Sequence, residues 1–304
     1  MQLSLQNICK RFGAKQVLDE VSLTATTGRA CGLLGRNGAG KTTAIRILLN
    51  VFPSDSGQVL LDGAPIDYAK VKFGYLPEER GLYPKKQIFD QLVYFARLKG
   101  MSKREAAVAV DKWLDRLGMS DYRDKRLETL SKGNQQKIQL ITALCHDPDI
   151  VVLDEPFSGL DPVNALLLKD VVSEVINDGK IVLFSSHQMN YIEEFCDDIA
   201  VLNNGKIVLS GDLKEIKRSY PRNKLVVRSG ESQKIIAELN RGERITDDEI
   251  MLTFPEGTDI SLAMRLVTER YAVDELRIYE PSLNDIFVSY AGDDHQKADK
   301  EGQQ

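Results

Sequence analysis

Nine residues, GRNGAGKTT from Gly35 to Thr43, constrain the fold of this chain more than any other stretch. They fit G-x-x-x-x-G-K-[ST], a loop whose glycines let backbone N–H groups turn inward on phosphates. The loop lies between an apolar strand, "ACGLL", and a helix, "TTAIRIL". That order separates a phosphate-binding loop from a glycine-rich connector, because the helix N-terminus adds its own orphan donors. Gly35, Gly38 and Gly40 are the conformationally permissive positions, and Asn37, Ala39 and Thr43 complete the loop. Lys41 is placed to reach β/γ oxygens, and the Thr42 hydroxyl to ligand Mg²⁺.

A second set of groups follows far downstream. "DIVVLDE" is a continuous apolar run, as in a strand buried on both faces, and it ends in two acids. Asp154 stands where a carboxylate supporting Mg²⁺ belongs. Glu155 leaves the strand in another direction and can hold a water or accept its proton. Between the two sets lies "LSKGNQQKIQL", Leu130 to Leu140. Ser131 reads as the N-cap of a helix, and Gly133 leaves room for close approach to the backbone. Such a helix start can hold an anion, but by itself it reads better as an ordinary cap.

The order of periodicities sets the architecture. From Gln2 to about Ile66 short apolar runs alternate with turns, which predicts a strand-rich lobe. From Lys85 to about Asp147 the period becomes helical. "KKQIFDQLVYFARLKG" puts Ile88, Leu92, Phe95 and Ala96 on one face, and "SKREAAVAVDKWLDRLG" opens with Ser102 and Glu105 in capping-box spacing. Buried strands and helices then alternate as far as the hairpin over Asn204-Gly205, which implies a mostly parallel sheet covered by helices. The pattern restarts near 220 with strands "KLVVRS", "EIMLTFP" and "VDELRIYEP" and helices between and after them. Three regions are therefore expected: 1–219 with a helical subdomain at about 85–148, a small α/β domain at 220–291, and a polar, frayed tail at 292–304.

Composition limits the partners. Hydrophobic residues make up 42% and charged residues 28%, as in a globular protein. A net charge of −5 argues against nucleic acid as the main partner. The four cysteines are scattered without CxxC pairing and read as buried thiols in a reducing cytoplasm. The N-terminus has no basic start and apolar core of a signal peptide, and no window approaches a membrane span. A cytoplasmic location follows, with any membrane work done through a partner's spanning helices.

Taken together, the landmarks resemble the nucleotide-binding subunit of an ATP-binding cassette (ABC) transporter. LSKGNQQK is similar to the ABC signature, usually LSGGQ; "FSGLD", Phe157 to Asp161, is similar to the D-loop; "YLPEERGLYP" occupies the place of the Q-loop. His187 in "FSSHQM" resembles the switch histidine, which contacts the γ-phosphate, and Phe12 in "ICKRFG" the aromatic that stacks on adenine. Alone, His187 would read as structural and Phe12 as core. The landmarks keep the family's order over roughly residues 1–215.

The resemblance implies a P-loop ABC cassette, α/β with a mixed core and a helical subdomain, followed by the small α/β domain. It implies ATP and Mg²⁺ as cofactors, with Glu155 and His187 catalytic and Thr42, Asp154 and Glu78 around the metal. It also gives the second anion site an owner: Ser131 and Gly133 would face the ATP held by another subunit, identical or paralogous, in a head-to-tail dimer. A separately encoded permease would dock on the helical block and keep the protein on the inner face of the membrane. The C-terminal "YEPSLNDIFVSY", Tyr279 to Tyr290, resembles the accessory domain of two-component bacterial exporters (sodium, drug, antibiotic or peptide).

Two positions depart from the family pattern. Glu78 replaces the usual glutamine of the Q-loop, and reads either as a metal-supporting acid or as a solvated loop acid. Lys132 and Asn134 replace Gly and Gln of the signature. A soluble ABC ATPase acting on ribosomes or DNA is the alternative, but those relatives usually carry paired cassettes or long coiled coils, and neither occurs here. A kinase or GTPase would leave the signature and histidine unexplained, and the chain lacks N-K-x-D.

Overall fold

The computed structural model describes residues 1–304 except Arg80, Gly159, Ser289 and 291–304. The polar tail expected at 292–304 therefore lies outside the described residues, as does one position of the D-loop. The chain divides into two compact units, Met1–Leu213 and a second starting at Lys214. That division falls one short helix ahead of the position expected from sequence.

The first unit opens with two long strands, β1 (Gln2–Phe12) and β2 (Lys15–Thr26), then β3 (Ala30–Leu34), helix α1 (Lys41–Leu48), and β4 (Ser56–Leu61), β5 (Ala64–Pro65) and β6 (Phe73–Leu76). The helical block holds α2 (Ile88–Leu98), α3 (Lys103–Arg116) and α4 (Lys132–Leu144). β7 (Ile150–Asp154), α5 (Pro162–Asn177), β8 (Ile181–Ser186), α6 (Met189–Phe195), β9 (Asp198–Asn203) and β10 (Lys206–Asp212) complete it, and α7 (Leu213–Ser219) follows.

Two sheets result. One is antiparallel, in the order β2-β1-β4-β5. The other runs β10-β9-β3-β8-β7-β6, parallel from β9 to β6 with only the β10 edge antiparallel. β3, β7 and β8 are buried along their whole length, which is why their sequences are continuous apolar runs rather than alternations. The core lies between the sheets: Leu3, Leu5, Leu18 and Leu23 from the antiparallel sheet, Leu33, Val152 and Leu183 from the parallel one, and Ile45 and Leu48 of α1 between them. β3 and β7 thus end side by side across β8, each delivering its C-terminal loop to one edge, where open α/β sheets bind ligands.

The helical block is set by its caps. Ser102 Oγ accepts from Glu105 N at 3.3 Å, and Glu105 Oε2 accepts from Ser102 N at 2.9 Å, the reciprocal box expected from spacing. Ile88, Leu92 and Ala96 of α2 bury against α3 and α4, whereas Phe95 is only partly covered. Trp113 is half-buried.

The second unit contains β11 (Lys224–Arg228), α8 (Ser232–Leu239), β12 (Gly242–Arg244), β13 (Glu249–Thr253), α9 (Ile260–Arg270) and β14 (Glu275–Ile278). Its strands form one antiparallel sheet in the order β12-β13-β11-β14. Leu225, Val227, Ile250 and Leu252 line one face and pack on Ile235, Ala263 and Val267 of the two helices. The α8 and α9 helices have to cover that face, because strands with alternating apolar residues leave it bare.

Candidate functional site

The phosphate loop folds as it does for two different reasons. Gly38 and Gly40 have φ of 82° and 114°, values that L side chains resist. Gly35 needs room instead: a Cβ there would lie 2.5 Å from the Leu202 carbonyl oxygen of β9. The loop is drawn tight by Ala39 N–H donating to the Arg36 carbonyl at 3.1 Å. α1 starts at Lys41 with Gly40 as a cap that offers no side chain, so the first N–H groups of the helix stay available. Lys41 itself is buried, and its Nζ donates to the Gly35 carbonyl at 2.8 Å.

A pocket of about 340 Å³ opens over this loop. Arg36, Asn37, Gly38, Gly40, Lys41, Thr42 and Thr43 line it, together with Val17, Glu78 and Asp154. The structure thus gathers the loop and the three metal candidates on one wall. Gly35 and Ala39 are not among the lining residues. Phe12 is outside the lining residues; its ring is half exposed and meets Phe52 edge-on at 5.7 Å.

The two acids at the end of β7 have separate surroundings. Glu155 has φ of 51°, a left-handed turn that breaks the strand and sends its side chain away from Asp154. Asp154 is buried; its Oδ1 accepts from Ser185 Oγ, while Oδ2 has no hydrogen-bond partner. Burial raises the Asp154 carboxyl above the usual range, the Ser185 bond opposes this, and the Glu155 charge adds to it. The neighbouring Tyr75 hydroxyl is pushed up to about 12, first by burial and then by Asp154. Glu155 is also buried. Its Oε2 accepts from Ser186 Oγ at 3.1 Å, Oε1 meets His187 Nδ1 at 2.8 Å, and Lys41 Nζ stands 3.7 Å from Oε1.

Ser185 and Ser186, whose hydroxyls donate to the two acids, were missed from sequence. Their signal was present: two hydroxyls at the end of a strand otherwise made of apolar residues. Buried hydroxyls there need partners, and the paired β7 strand offers carboxylates in register, with Asp154 opposite Ser185.

The residues fit Mg²⁺, a hard cation that takes oxygen ligands. The unpartnered Asp154 Oδ2 is an orphan carboxylate oxygen on the pocket wall that also carries Thr42 and Glu78. Among the described residues no group of three His, Cys, Asp or Glu could hold a metal alone. An ion there needs phosphate oxygens and water to complete its shell.

Ser131 and Gly133 are not among the residues lining this pocket. Ser131 is the N-cap of α4, and its side chain accepts from Asn134 N at 3.3 Å. The space that Gly133 leaves is used within the chain, since a Cβ would stand 3.1 Å from Asn164 Nδ2 of α5. Gln136 Nε2 donates to the Pro156 carbonyl at 3.3 Å, which ties α4 to the segment after Glu155. Phe157 in that segment stacks on Tyr191 and Phe195 of α6, both at 4.6 Å.

Comparison with known proteins identifies the family. The ABC transporter family matches residues 18–158, and the C-terminal domain of DrrA1-3-like ATP-binding proteins matches 211–291. The ABC transporter ATP-binding protein YhaQ of Bacillus subtilis is 42% identical over 294 residues, 95% of this chain and 98% of its own. The Nod factor export ATP-binding protein I of Burkholderia lata is 34% identical over 69% of this chain and 70% of its own. A solved ATP-binding subunit of an ABC transporter superposes with a TM-score of 0.65 and 27% identity, over 72% of this chain and 92% of that one. The chain belongs to the ATP-binding proteins of ABC transporters, the family that hydrolyses ATP to drive transport.

Proposed function

We propose that two such cassettes, identical or paralogous, close head to tail on two ATP molecules and thereby drive export through a separately encoded membrane permease. One observation carries this reading: the candidate nucleotide-site groups of the chain fall into two sets. Lys41, Thr42 and Asp154 share one pocket, whereas the Ser131 helix start stays outside its lining. A second copy is the natural source of a nucleotide for the second set.

In this mechanism the loop N–H groups and Lys41 hold the β/γ-phosphates, and Phe12 offers its exposed face to the adenine. Thr42, Asp154 and Glu78 would hold Mg²⁺, which when bound neutralises charge on the phosphate oxygens. Glu155 orients the attacking water or takes its proton, held in place by Ser186 and His187. Ser131 and the backbone at Gly133 close on the partner's γ-phosphate. Hydrolysis removes that bridging charge and the pair reopens.

Export is supported by the Nod factor export relative. Among the described residues no helix is long and apolar enough to cross a membrane, and the spanning part is assigned to the permease, which would hold the chain at the inner membrane face. The test is Glu155→Gln with Mg·ATP on size exclusion. The variant should accumulate as an ATP-dependent dimer while wild type runs mostly as monomer; a monomeric variant with full hydrolysis removes both the dimer and the role of Glu155.

A further inference from the structure

Glu155 does not leave β7 as a free end. Its N–H donates to the Ser185 carbonyl at 3.0 Å, and its own carbonyl accepts from the Ser158 N–H at 3.1 Å, closing a turn over Pro156 and Phe157. Proline suits the second position of such a turn because its ring presets φ. Phe157, in the third position, carries the large side chain, and it is only 3% exposed.

The Phe157 ring makes three stacked contacts, and all three lead to the elements on either side of His187. Phe184 lies on β8, ahead of the histidine, at 6.0 Å. Tyr191 and Phe195 lie on α6, beyond it, both at 4.6 Å with interplanar angles of 18° and 20°. Such separations are those of favourable ring pairs. The short α6 has few other anchors. Its seven residues are too few for a helix that stands alone, and among its described residues Ile192 is the one fully buried, packed over Gly32 of β3. The turn that carries His187 runs straight into this helix. Gln188 N–H donates to Ser186 Oγ at 3.0 Å, and the same hydroxyl donates to Glu155 at 3.1 Å.

Glu155 and His187 thus approach each other from two separate segments, and the Phe157 ring packs one segment on the other. We propose that Phe157 is a positioning residue for hydrolysis: its stack on α6 keeps the His187 imidazole at bonding distance from Glu155. The inference rests on the reading of Glu155 and His187 as the groups that act on the attacking water. Phe157 does not line the nucleotide pocket, so its loss falls on the rate and not on ATP binding. A ring that served packing alone would alter melting and leave the rate of the folded protein as it was.

Phe157→Leu removes the stack and keeps an apolar side chain. It should lower kcat for phosphate release roughly tenfold while KM for ATP stays within about twofold. Leu5→Ala, which opens a cavity in the core between the two sheets, is the stability control. It should melt lower and keep its kcat wherever it is folded. An unchanged kcat in Phe157→Leu, or an equal fall in Leu5→Ala, overturns the inference. If Phe157→Leu does not fold, Tyr191→Leu combined with Phe195→Leu removes the α6 side of the stack from half-buried positions and should show the same loss; an unaltered kcat there overturns the inference.

The spectroscopic mark is the His187 Nδ1–H in the full chain with ¹⁵N-labelled histidine, identified by its loss in His187→Ala. Bonded to a carboxylate it resonates far downfield, and in Phe157→Leu it should move upfield or broaden by exchange with water. A signal identical to wild type overturns the inference. In the His187→Ala background, Phe157→Leu should change the rate by less than about twofold, because the pair that it holds is already broken. A further tenfold fall would show independent action and overturn the inference. Glu155→Gln, assayed in parallel, separates the two readings. Full hydrolysis by that variant removes both the role of Glu155 and this inference, whereas an inactive Glu155→Gln beside an unimpaired Phe157→Leu removes the inference alone.

Discussion

Glu155 and His187 meet across the ends of β7 and β8, Oε1 to Nδ1 at 2.8 Å, with the acid buried and the histidine side chain 42% exposed. An ionised carboxylate only accepts, so Nδ1 donates and the histidine presents Nε2. The imidazole therefore fixes the acid in place and keeps one free nitrogen. His187→Ala should lower the hydrolysis rate by about 10²-fold or more, the scale of a positioned acid–base group, with ATP affinity little changed. Steady-state phosphate release against ATP concentration separates the two. An unaltered kcat would mean that Ser186 alone suffices to hold Glu155.

Gly38 and Gly40 both adopt left-handed φ, but only Gly40 is crowded: a Cβ there would lie 2.7 Å from Leu18 Cδ2 and 3.0 Å from the Val17 carbonyl oxygen. Alanine at either position meets backbone strain of roughly 1–2 kcal/mol. Gly40→Ala adds overpacking of about 1–3 kcal/mol. Urea unfolding of the two variants should rank Gly40→Ala clearly below Gly38→Ala. Equal midpoints would show that Leu18 gives way without cost.

The contrast between these glycines explains what was legible in the sequence. A loop that imposes backbone angles leaves a residue pattern, and so do caps such as Ser102–Glu105 and strands buried on both faces; all three were readable. Which distant partner a residue meets leaves no local pattern, even where, as at Ser185 and Ser186, the need for one can be read. That Gly35 makes room for Leu202, that Asn164 fills the space beside Gly133, and that Ser185 and Ser186 hold the two acids depend on sheet order and register. β6 and β12, four and three residues long, were not read as strands, because so short a run carries too few alternations to be seen. Phe12 was assigned by resemblance, and its open ring beside Phe52 is a fact only the packing could supply.

Ser131 caps α4 by accepting from Asn134 N. As a cap alone, Ser131→Ala should cost about 1 kcal/mol of stability and little activity. If it also serves the nucleotide of a second copy, hydrolysis should collapse, and mixing should restore it. A Ser131→Ala chain paired with a Lys41→Ala chain forms one site with both halves intact, although each variant alone has none. Phosphate release from the mixture above that of either variant is the expected result. No recovery on mixing, with both variants folded, would leave Ser131 as an ordinary cap.

Asp154 carries a penalty that the fold bears for function. Burial raises its carboxyl above the value of the unfolded chain, so the folded state holds the proton more tightly. The sign follows: the group opposes folding fully above its raised folded pKa, and the penalty fades as pH falls toward the ordinary carboxylate value. Asp154→Asn removes the charge while leaving an oxygen to accept from Ser185. The nucleotide-free variant should therefore melt higher than wild type at neutral pH, with the gap narrowing in acid through that window, and Mg²⁺-dependent hydrolysis should be lost. Thermal unfolding of both proteins across pH measures the gap directly. A variant that melts lower at neutral pH would mean that the ionised carboxylate contributes to the fold, and the unpartnered Oδ2 would no longer stand as the mark of a ligand position.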